Sequence, residues 1–332
     1  MKAMLMTAAG GPEVLQLMEV PIPVLPSDKH MLVKLHAAAI NPADYKRRKN
    51  GIGNFPLPAI LGFDAAGVVE KVGAQVARFK PGDAVYFLQN GLGAGPGAYA
   101  EYTTVHEEYA AAKPTSLDFV QAAAVPLVFI TCWEALHDRA HLSEGKTVLI
   151  HAGTGGTGHV AIQLAKQASA RVATTVSSAV KAAWVTELGA EHTINYQTED
   201  FVDAALKWTN GRGVDIVFDT VGGDTMLKSI KAARVYGEVV SLLSPAISQE
   251  YADLAKLRNV SISYTLMLTP MMLGLHDAWV YQRTLLEKAA AMIDAGQLAV
   301  KVSHILPLAD AAEAHRLIES GHTSGKIVLS IG

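Results

Sequence analysis

The segment that most constrains the fold is TVLIHAGTGGTGHVAIQLAKQ, at residues 147–167. A β-rich run is followed at once by three glycines in the spacing G-x-G-x-x-G, and then by a stretch with the apolar period of a helix. In this strand–turn–helix order, glycines allow a tight turn and let a pyrophosphate approach the helix N-terminus closely. The segment therefore predicts a dinucleotide-binding unit. The turn residues assigned to the cofactor site are Gly153, Gly155, Gly156, Thr157 and Gly158.

The patterns on either side of this segment differ. From about residue 120, β-rich runs alternate with helical spacing, which predicts a parallel sheet covered on both faces. Before it, short β-rich runs are separated by turn clusters such as PIPVLPSDK and KPGD, which is typical of an all-β region. A chain of 332 residues exceeds the usual size of one core. The prediction is an α/β protein with a doubly wound Rossmann domain at 122–268 and a β-rich domain made of 1–121 and 269–332.

Composition excludes several classes of partner. The 28 Lys and Arg against 31 Asp and Glu give no electrostatic case for nucleic acid or an anionic membrane. The apolar segment 120–136 contains Gln, Pro, Thr and Glu, so no membrane span is expected. Cys132 is the only cysteine, which excludes an internal disulfide and indicates a reducing, cytoplasmic setting. His137 and His141 lack a third metal ligand and are expected on a solvated helix face.

The second strand of the parallel sheet indicates which dinucleotide binds. NAD sites usually place an Asp or Glu about 20 residues beyond the glycine turn, where it holds the ribose 2′-hydroxyl. This strand instead ends in Thr175, Val176, Ser177 and Ser178, with Lys181 beyond them. Hydroxyls and a lysine suit a 2′-phosphate, so the prediction is NADPH bound through Ser177 and Lys181. The alternative is that Lys181 is a solvated helix residue.

With these motifs in place, the whole chain resembles the medium-chain dehydrogenase/reductase superfamily, which pairs a GroES-like catalytic domain with a Rossmann domain. The resemblance rests on motifs in this order: AAAINPADYK (37–46), PLPAILGFDAAGVVEKVG (56–73), FKPGDAVY (79–86), GAYAEY (97–102), AGTGGTG (152–158), LGAEHTINY (188–196), VDIVFDTVGG (214–223) and GKIVL (325–329). It implies further cofactor contacts. Thr131 is expected near the nicotinamide or phosphates, Tyr196 near the 2′-phosphate, and Val221 and Leu243 beside adenine or nicotinamide.

Zinc-dependent members of that superfamily carry a Cys in the segment matching INPAD, a Gly-His-Glu matching LGFD, and a second Cys before TCWEAL. This chain has Asn41, Phe63 with Asp64, and Leu127 at the corresponding places. Asparagine, phenylalanine and leucine cannot replace thiolate and imidazole as tetrahedral zinc ligands, so no metal is predicted. Asp64 keeps a carboxylate where the zinc enzymes have Glu, and it is expected to scaffold the cleft.

Loss of zinc limits the chemistry. Without a Lewis acid, hydride transfer to a plain ketone lacks its main electrostatic help, whereas quinones and conjugated enones spread the incoming charge themselves. The chain is accordingly most similar to the zinc-independent branch of zeta-crystallin-like quinone oxidoreductases and enone reductases. This similarity implies an NADPH-dependent reductase of quinones or α,β-unsaturated carbonyls. A reductase of simple aldehydes or ketones and a non-catalytic NADPH-binding protein stay open as alternatives.

The resemblance also implies catalytic candidates. Asn41 is expected near the nicotinamide, where its amide could bind the acceptor oxygen or the cofactor ribose; a turn that starts a helix is the alternative. Asp44 is expected to orient this segment by hydrogen bonding. Tyr45 or Lys46 could donate a proton, although Tyr45 could equally be core, the run KRRK (46–49) suits a solvated helix face, and water could supply the proton instead.

Two further segments carry predictions about surfaces. The resemblance places the apolar stretch SISYTLMLTPMML (261–273) where family members form an edge strand and a dimer contact. Because unpaired apolar edges are normally covered, a homodimer is expected. The glycine-rich stretch 90–99 is either a lid that closes over substrate or a plain surface loop.

Overall fold

The structure is a computed structural model that describes residues 1–51, 56–89, 91, 95–244 and 248–332. It contains two compact units, one of Met1–Ile130 with Leu268–Gly332 and one of Thr131–Met267. The stretch 90–99, for which a lid and a plain surface loop both stayed open, includes residues 90 and 92–94, which lie outside the described residues. In the described part of the chain, no helix is long and apolar enough to cross a membrane.

The strands, in chain order, are β1 (Lys2–Met6), β2 (Leu15–Glu19), β3 (His30–Ile40), β4 (Ala59–Ile60), β5 (Asp64–Val72), β6 (Ala84–Leu88), β7 (Tyr102–His106), β8 (Ala110–Ala112), β9 (Thr147–Ile150), β10 (Arg171–Val176), β11 (His192–Asn195), β12 (Val214–Asp219), β13 (Ala233–Ser241), β14 (Ser261–Tyr264), β15 (Val302–Pro307) and β16 (Lys326–Ser330).

The helices are α1 (Pro42–Asn50), α2 (Phe119–Ala123), α3 (Pro126–Trp133), α4 (Gly158–Gln167), α5 (Ala179–Leu188), α6 (Phe201–Trp208), α7 (Asp224–Ala232), α8 (Gln249–Arg258), α9 (Thr269–Leu273), α10 (His276–Asp294) and α11 (Ala311–Glu319). A π-helical turn, Glu134–Arg139, directly continues α3.

The first unit is built on a largely antiparallel sheet in the order β15-β16-β3-β5-β6-β8, with β7 also paired to β3. In β3 the residues Met31, Val33 and Leu35 point alternately into the core, as expected of a strand with one buried face. Val33 lies opposite Val69 of β5, and both are buried. The last four residues of β3, AAAI, are all buried, which places buried side chains on both faces of the strand; α2 and α11 contact β3.

The second unit is a parallel sheet in the order β11-β10-β9-β12-β13-β14. This is the order of a doubly wound dinucleotide-binding domain, in which ligands bind beyond the carboxyl ends of the strands where the order reverses. That reversal lies between β9 and β12. Fully buried Leu149, Val217 and Val239 fill the core, which explains why these strands read as continuous apolar runs. The predicted fold class is confirmed, and β14 ends the sheet within the described residues.

The boundary between the units falls after Ile130, whereas the sequence-based expectation placed it at 122. The chain beyond 122 stays with the first unit because α2 contacts β3, β5 and β16, and because the Leu127 N–H donates to Asp64 Oδ1. The apolar residues of α2 therefore belong to the core of the β-rich unit.

Candidate active site

Sheet register brings three polar side chains of the first unit together. Ala39 pairs with Asp64 across β3 and β5, and Ile40 pairs with Ile327 across β3 and β16. Asn41 directly follows β3, and Lys326 directly precedes Ile327. Since β16, β3 and β5 are neighbours in the sheet, Lys326, Asn41 and Asp64 lie side by side.

These three side chains form one hydrogen-bonded network, which we call the Asn41–Asp64–Lys326 network. Asn41 Nδ2 donates to Asp64 Oδ2 at 2.9 Å, and Lys326 Nζ donates to the same oxygen at 3.0 Å. Lys326 Nζ also donates to Asn41 Oδ1. The Lys326 and Asp64 side chains are only 3% and 0% exposed, so this is a buried ion pair bridged by an amide.

The second oxygen of Asp64 is also bound. The backbone N–H of Leu127, at the start of α3, donates to Asp64 Oδ1 at 2.7 Å. The three places that match zinc ligands in the resemblance, at Asn41, Phe63–Asp64 and Leu127, therefore do meet in space. The groups found there are the Asn41 amide, the Asp64 carboxylate and the Leu127 backbone N–H. The Lys326 ammonium lies among them.

This donor set does not fit zinc. Zinc in proteins takes thiolates, imidazoles and carboxylates in tetrahedral array, whereas here the carboxylate already accepts three hydrogen bonds and an ammonium occupies the cluster. Among the described residues, no group of three His, Cys, Asp or Glu side chains is arranged to hold a metal ion. His137 packs against Trp133 with ring centroids 4.2 Å apart, and His141 is exposed.

Phe63 is fully buried, directly before β5. The guanidinium carbon of Arg47 lies 5.7 Å from the centroid of its ring, within the range of a cation–π contact. Phe63 therefore contributes packing to this part of the unit.

Asp44 has a strongly perturbed carboxyl group. It lies in the first turn of α1, fully buried, and its Oδ2 accepts the backbone N–H of Asn41 at 2.8 Å. Its Oδ1 has no hydrogen-bond partner among the described residues. Burial raises the pKa of the Asp44 carboxyl to about 7, and the neighbouring charge of Asp64 acts in the same direction. Asp44 thus fixes the backbone of Asn41 and carries a proton below neutral pH.

Tyr45 and Lys46 lie outside the Asn41–Asp64–Lys326 network in the described structure. Tyr45 is half-buried, with Lys49 Nζ 5.5 Å from its ring centroid, and Lys46 is exposed. Among the described residues, the hydrogen bonds of the Asn41 and Asp64 side chains go to other partners than these two side chains.

The expectation that KRRK (46–49) forms a solvated helix face is wrong for Arg48. This side chain is fully buried, donates from Nε to Gly10 O at 3.1 Å, and pairs with Glu319 at 2.6 Å. Buried arginine is tolerated because a carboxylate from α11 neutralises it.

The candidate cofactor residues of the second unit lie at the turn between β9 and α4. A Cβ placed on Gly153 would lie 2.2 Å from Thr174 Oγ1, and one on Gly158 would lie 2.2 Å from Ala152 O, so packing alone requires both glycines. A Cβ on Gly155 would meet only Ala152 O, at 3.2 Å. Gly155 therefore leaves open the space that a pyrophosphate fills in dinucleotide-binding turns, and the turn fits such a cofactor.

The start of α4 also suits an anion. In the described structure Thr157, the residue before the helix, makes no side-chain cap to the first turn. Gly156 and Thr157 are half-buried, so their backbone reaches the surface next to Gly155. Uncapped amides at a helix N-terminus attract phosphate through hydrogen bonds and the helix dipole.

The remaining cofactor candidates lie at strand ends of the second unit. Ser177 follows β10 and Tyr196 follows β11, and the Tyr196 N–H donates to Val176 O at 3.2 Å. Lys181 lies in the first turn of α5, where its backbone N–H is capped by the Ser178 hydroxyl at 3.3 Å. The hydroxyl of Ser178 is thus occupied, whereas Ser177 and Lys181 are partly exposed and Tyr196 is 55% exposed.

Val221 and Leu243 follow β12 and β13. The Val221 N–H donates to Asp219 Oδ1 at 3.0 Å, and the side chain is 49% exposed. Leu243 lies beside Gly222, where an added Cβ would meet its side chain at 2.8 Å. Both residues are therefore on the strand-end side expected for a ligand. Thr131, in α3, is buried.

Comparison with known proteins decides the family. Residues 27–115 match the family model of the alcohol dehydrogenase GroES-like domain, and residues 188–329 match that of the zinc-binding dehydrogenase. The chain is 35% identical to the NADPH-dependent alkenal/one oxidoreductase, chloroplastic, of Arabidopsis thaliana, over 99% of this chain and 79% of that protein. The chain belongs to the medium-chain dehydrogenase/reductase superfamily, in its quinone oxidoreductase and enone reductase branch.

Two other members of this superfamily are also similar. The 2-methylene-furan-3-one reductase of Solanum lycopersicum is 42% identical over 73% of this chain, a match that spans 62% of the tomato protein. The quinone oxidoreductase of Escherichia coli, solved in complex with NADPH, superposes with a TM-score of 0.89 at 31% identity, over 99% of this chain and 100% of that one. These matches support a nicotinamide cofactor for the glycine turn.

Lys326 was not among the residues singled out from sequence. The available signal was a lysine at the head of the apolar strand KIVLSI, in the superfamily motif GKIVL. From sequence alone, a lysine at this position is typical of the solvent-exposed end of a strand. Only the pairing of β16 with β3 shows that its ammonium is buried against Asn41.

Proposed function

We propose that this protein is an NADPH-dependent oxidoreductase that transfers hydride to quinones or α,β-unsaturated carbonyls without a metal ion. The observation that carries the proposal is the Asn41–Asp64–Lys326 network, because a charged hydrogen-bond cluster stands where zinc enzymes of this superfamily have their ligands. The names of the relatives from Arabidopsis, tomato and Escherichia coli support the same classes of acceptor.

The preference for NADPH is part of this proposal. Ser177 and Lys181 follow β10, where NAD-specific sites place a carboxylate. A lysine and a hydroxyl would bind a 2′-phosphate by charge-assisted hydrogen bonds. Tyr196 follows the neighbouring strand and has the exposure needed to contact the same end of the cofactor.

A bound nicotinamide would supply a hydride to the acceptor. As the hydride adds to the β-carbon of an enone, the electron pair of the double bond moves to the carbonyl oxygen, and a proton from water completes the product. The residues of this chain would bind the acceptor oxygen through the Asn41 amide and hold a fixed positive charge nearby on Lys326. A plain ketone would place the whole negative charge on one oxygen, so it needs stronger stabilisation than this network offers.

We also propose that the protein is a homodimer of the reducing cytoplasm. β14 presents an edge of the sheet, and the segment that follows it carries exposed apolar side chains at Leu266, Met272 and Leu273, which are 53%, 52% and 68% exposed. Cys132, the only cysteine, is buried and free.

Steady-state oxidation of NADPH tests the proposed activity. We expect turnover with a 1,4-quinone and with an open-chain enone, and little turnover with the matching saturated ketone. Gly155→Val should abolish both reactions and NADPH binding, since its side chain would fill the pyrophosphate space. Absence of turnover with every quinone and enone, in protein that binds NADPH, would leave the non-catalytic alternative.

A further inference from the structure

Lys326 is a buried cation, and protein stability does not explain why it is there. Its side chain is 3% exposed and its partner Asp64 is 0% exposed. Exchange of a buried ion pair for apolar side chains of similar volume is often neutral or stabilising, because desolvation offsets the attraction. A buried ammonium therefore suggests a use for its charge.

Asp64 does not need Lys326 to satisfy its oxygens. Oδ1 accepts from Leu127 N at 2.7 Å, and Oδ2 accepts from Asn41 Nδ2 at 2.9 Å. What Lys326 alone adds is a positive charge and a donor to Asn41 Oδ1. An ammonium has three N–H donors, of which two are accounted for by these bonds.

The bond from Lys326 fixes what Asn41 can do. Because Oδ1 of Asn41 accepts from the ammonium, the amide group is oriented with Nδ2 toward Asp64. The other Nδ2–H has only a long contact of 3.5 Å to Ala39 O, at the limit of a hydrogen bond. The Asn41 side chain is 1% exposed, and in the described structure this N–H is its donor without a short bond, so it is the donor that a ligand reaching Asn41 would meet. A cation on the carbonyl side of an amide polarises it and strengthens the N–H as a donor.

We propose that Lys326 is a positioning residue that makes the Asn41 amide an oxyanion-stabilising donor, in the role that a Lewis acid has in the zinc enzymes. This inference rests on the proposed function. In the reaction, the C–H bond forms at the acceptor, the π bond of the acceptor breaks, and its electrons reach the carbonyl oxygen. The Asn41 N–H and the fixed charge of Lys326 would stabilise that oxygen until water donates the proton; the hydride would come from a C–H bond of bound NADPH, which is thereby oxidised to NADP⁺.

The test compares Lys326→Met, Lys326→Arg and the double variant Asp64→Asn/Lys326→Met, with Lys71→Met at an exposed site of β5 as a matched control. For each protein we would measure kcat for one enone and one 1,4-quinone, the Kd of NADPH and the thermal midpoint. Lys326→Met should lower kcat for the enone on the order of 100-fold, as loss of one oxyanion donor does. The quinone should lose less, since its charge is spread over two oxygens, and the Kd of NADPH should change by less than about twofold, because removing a positioning charge weakens transition-state stabilisation and not ground-state binding.

The double variant separates a catalytic charge from a structural ion pair. It removes both charges, so it should recover the thermal midpoint that Lys326→Met loses through an unpaired Asp64. Its kcat for the enone should stay low, whereas Lys326→Arg should retain most of the activity. If kcat of the double variant for the enone recovers to within about threefold of wild type, the proposal is overturned. Such recovery would show that Lys326 serves only to neutralise Asp64.

Failure of the inference and failure of the proposed function give different results. If the wild type does not turn over enones or quinones, the proposed function is wrong. If the wild type is active and Lys326→Met slows both acceptors equally or not at all, only the role of Lys326 is wrong.

Discussion

Replacement of Asp44 by Asn should remove the contribution of one buried carboxyl to the pH dependence of stability. Burial raises the pKa of the Asp44 carboxyl in the folded protein to about 7, from a value of 3.8 in the unfolded chain. The folded state therefore holds a proton that the unfolded state has released throughout this range. The stabilisation is complete below pH 3.8 and is lost as pH rises to about 7.

The size of the effect follows from this difference. The unfolded chain has already released this proton at pH 5, whereas the folded protein releases it only around pH 7. Between pH 5 and pH 8 the free energy of unfolding of the wild type should therefore fall by about 2 to 3 kcal/mol from this group alone. Asp44→Asn stays neutral at every pH, and its amide oxygen can still accept the Asn41 N–H. The difference in free energy of unfolding between Asp44→Asn and the wild type should therefore shift in favour of the variant by about that amount from pH 5 to pH 8.

Urea denaturation followed by circular dichroism at pH 5 and pH 8 measures this difference. Asp28→Asn, at an exposed turn of the same unit, serves as the control, and it should follow the wild type at both pH values. If Asp44→Asn and the wild type change by the same amount between the two pH values, the carboxyl titrates normally and the reasoning is refuted.

Three other predictions follow from the site and the surface. Lys181→Ala should raise the KM for NADPH about tenfold or more while leaving that for NADH unchanged, since one charge-assisted hydrogen bond to the 2′-phosphate is lost; an equal effect on both cofactors would place Lys181 elsewhere. Tyr45→Phe should lower kcat less than about threefold, because the hydroxyl is not needed if water donates the proton, and a larger loss would make Tyr45 the acid. Sedimentation at micromolar protein should give twice the chain mass of 35.2 kDa, and Leu273→Asp should shift it to the monomer; a monomeric wild type would end the dimer proposal.

Local sequence was sufficient for the parts of the fold that depend on near neighbours. The glycine turn, its flanking strand and helix, and the parallel sheet could all be predicted, because strand and helix periods and turn glycines act over short distances. The absence of zinc ligands was also visible, since the superfamily motifs INPAD and LGFD place Asn41 and Phe63 at identifiable positions. The confirmed fold class rests on these local signals.

The missing parts depend on distant pairings. Lys326 and Asn41 are separated by 285 positions, and Arg48 and Glu319 by 271, so no local pattern links either pair. A lysine at the head of a strand and an arginine in KRRK both look solvated until the register of β16 on β3 and the packing of α11 are known. Burial of a charged residue is decided by its partner, and the partner here comes from the far end of the chain.

The central claim is that a buried charged network, with no metal, supports reduction of activated acceptors. Its most direct test is kcat/KM with NADPH for an enone, a 1,4-quinone and the saturated ketone that matches the enone, before and after exhaustive treatment with a metal chelator. The account predicts that the enone and the quinone are reduced at unchanged rates after chelation, and at least about 100-fold faster than the ketone, as expected where no Lewis acid assists. Loss of activity on chelation, or a ketone reduced as well as the enone, would contradict it.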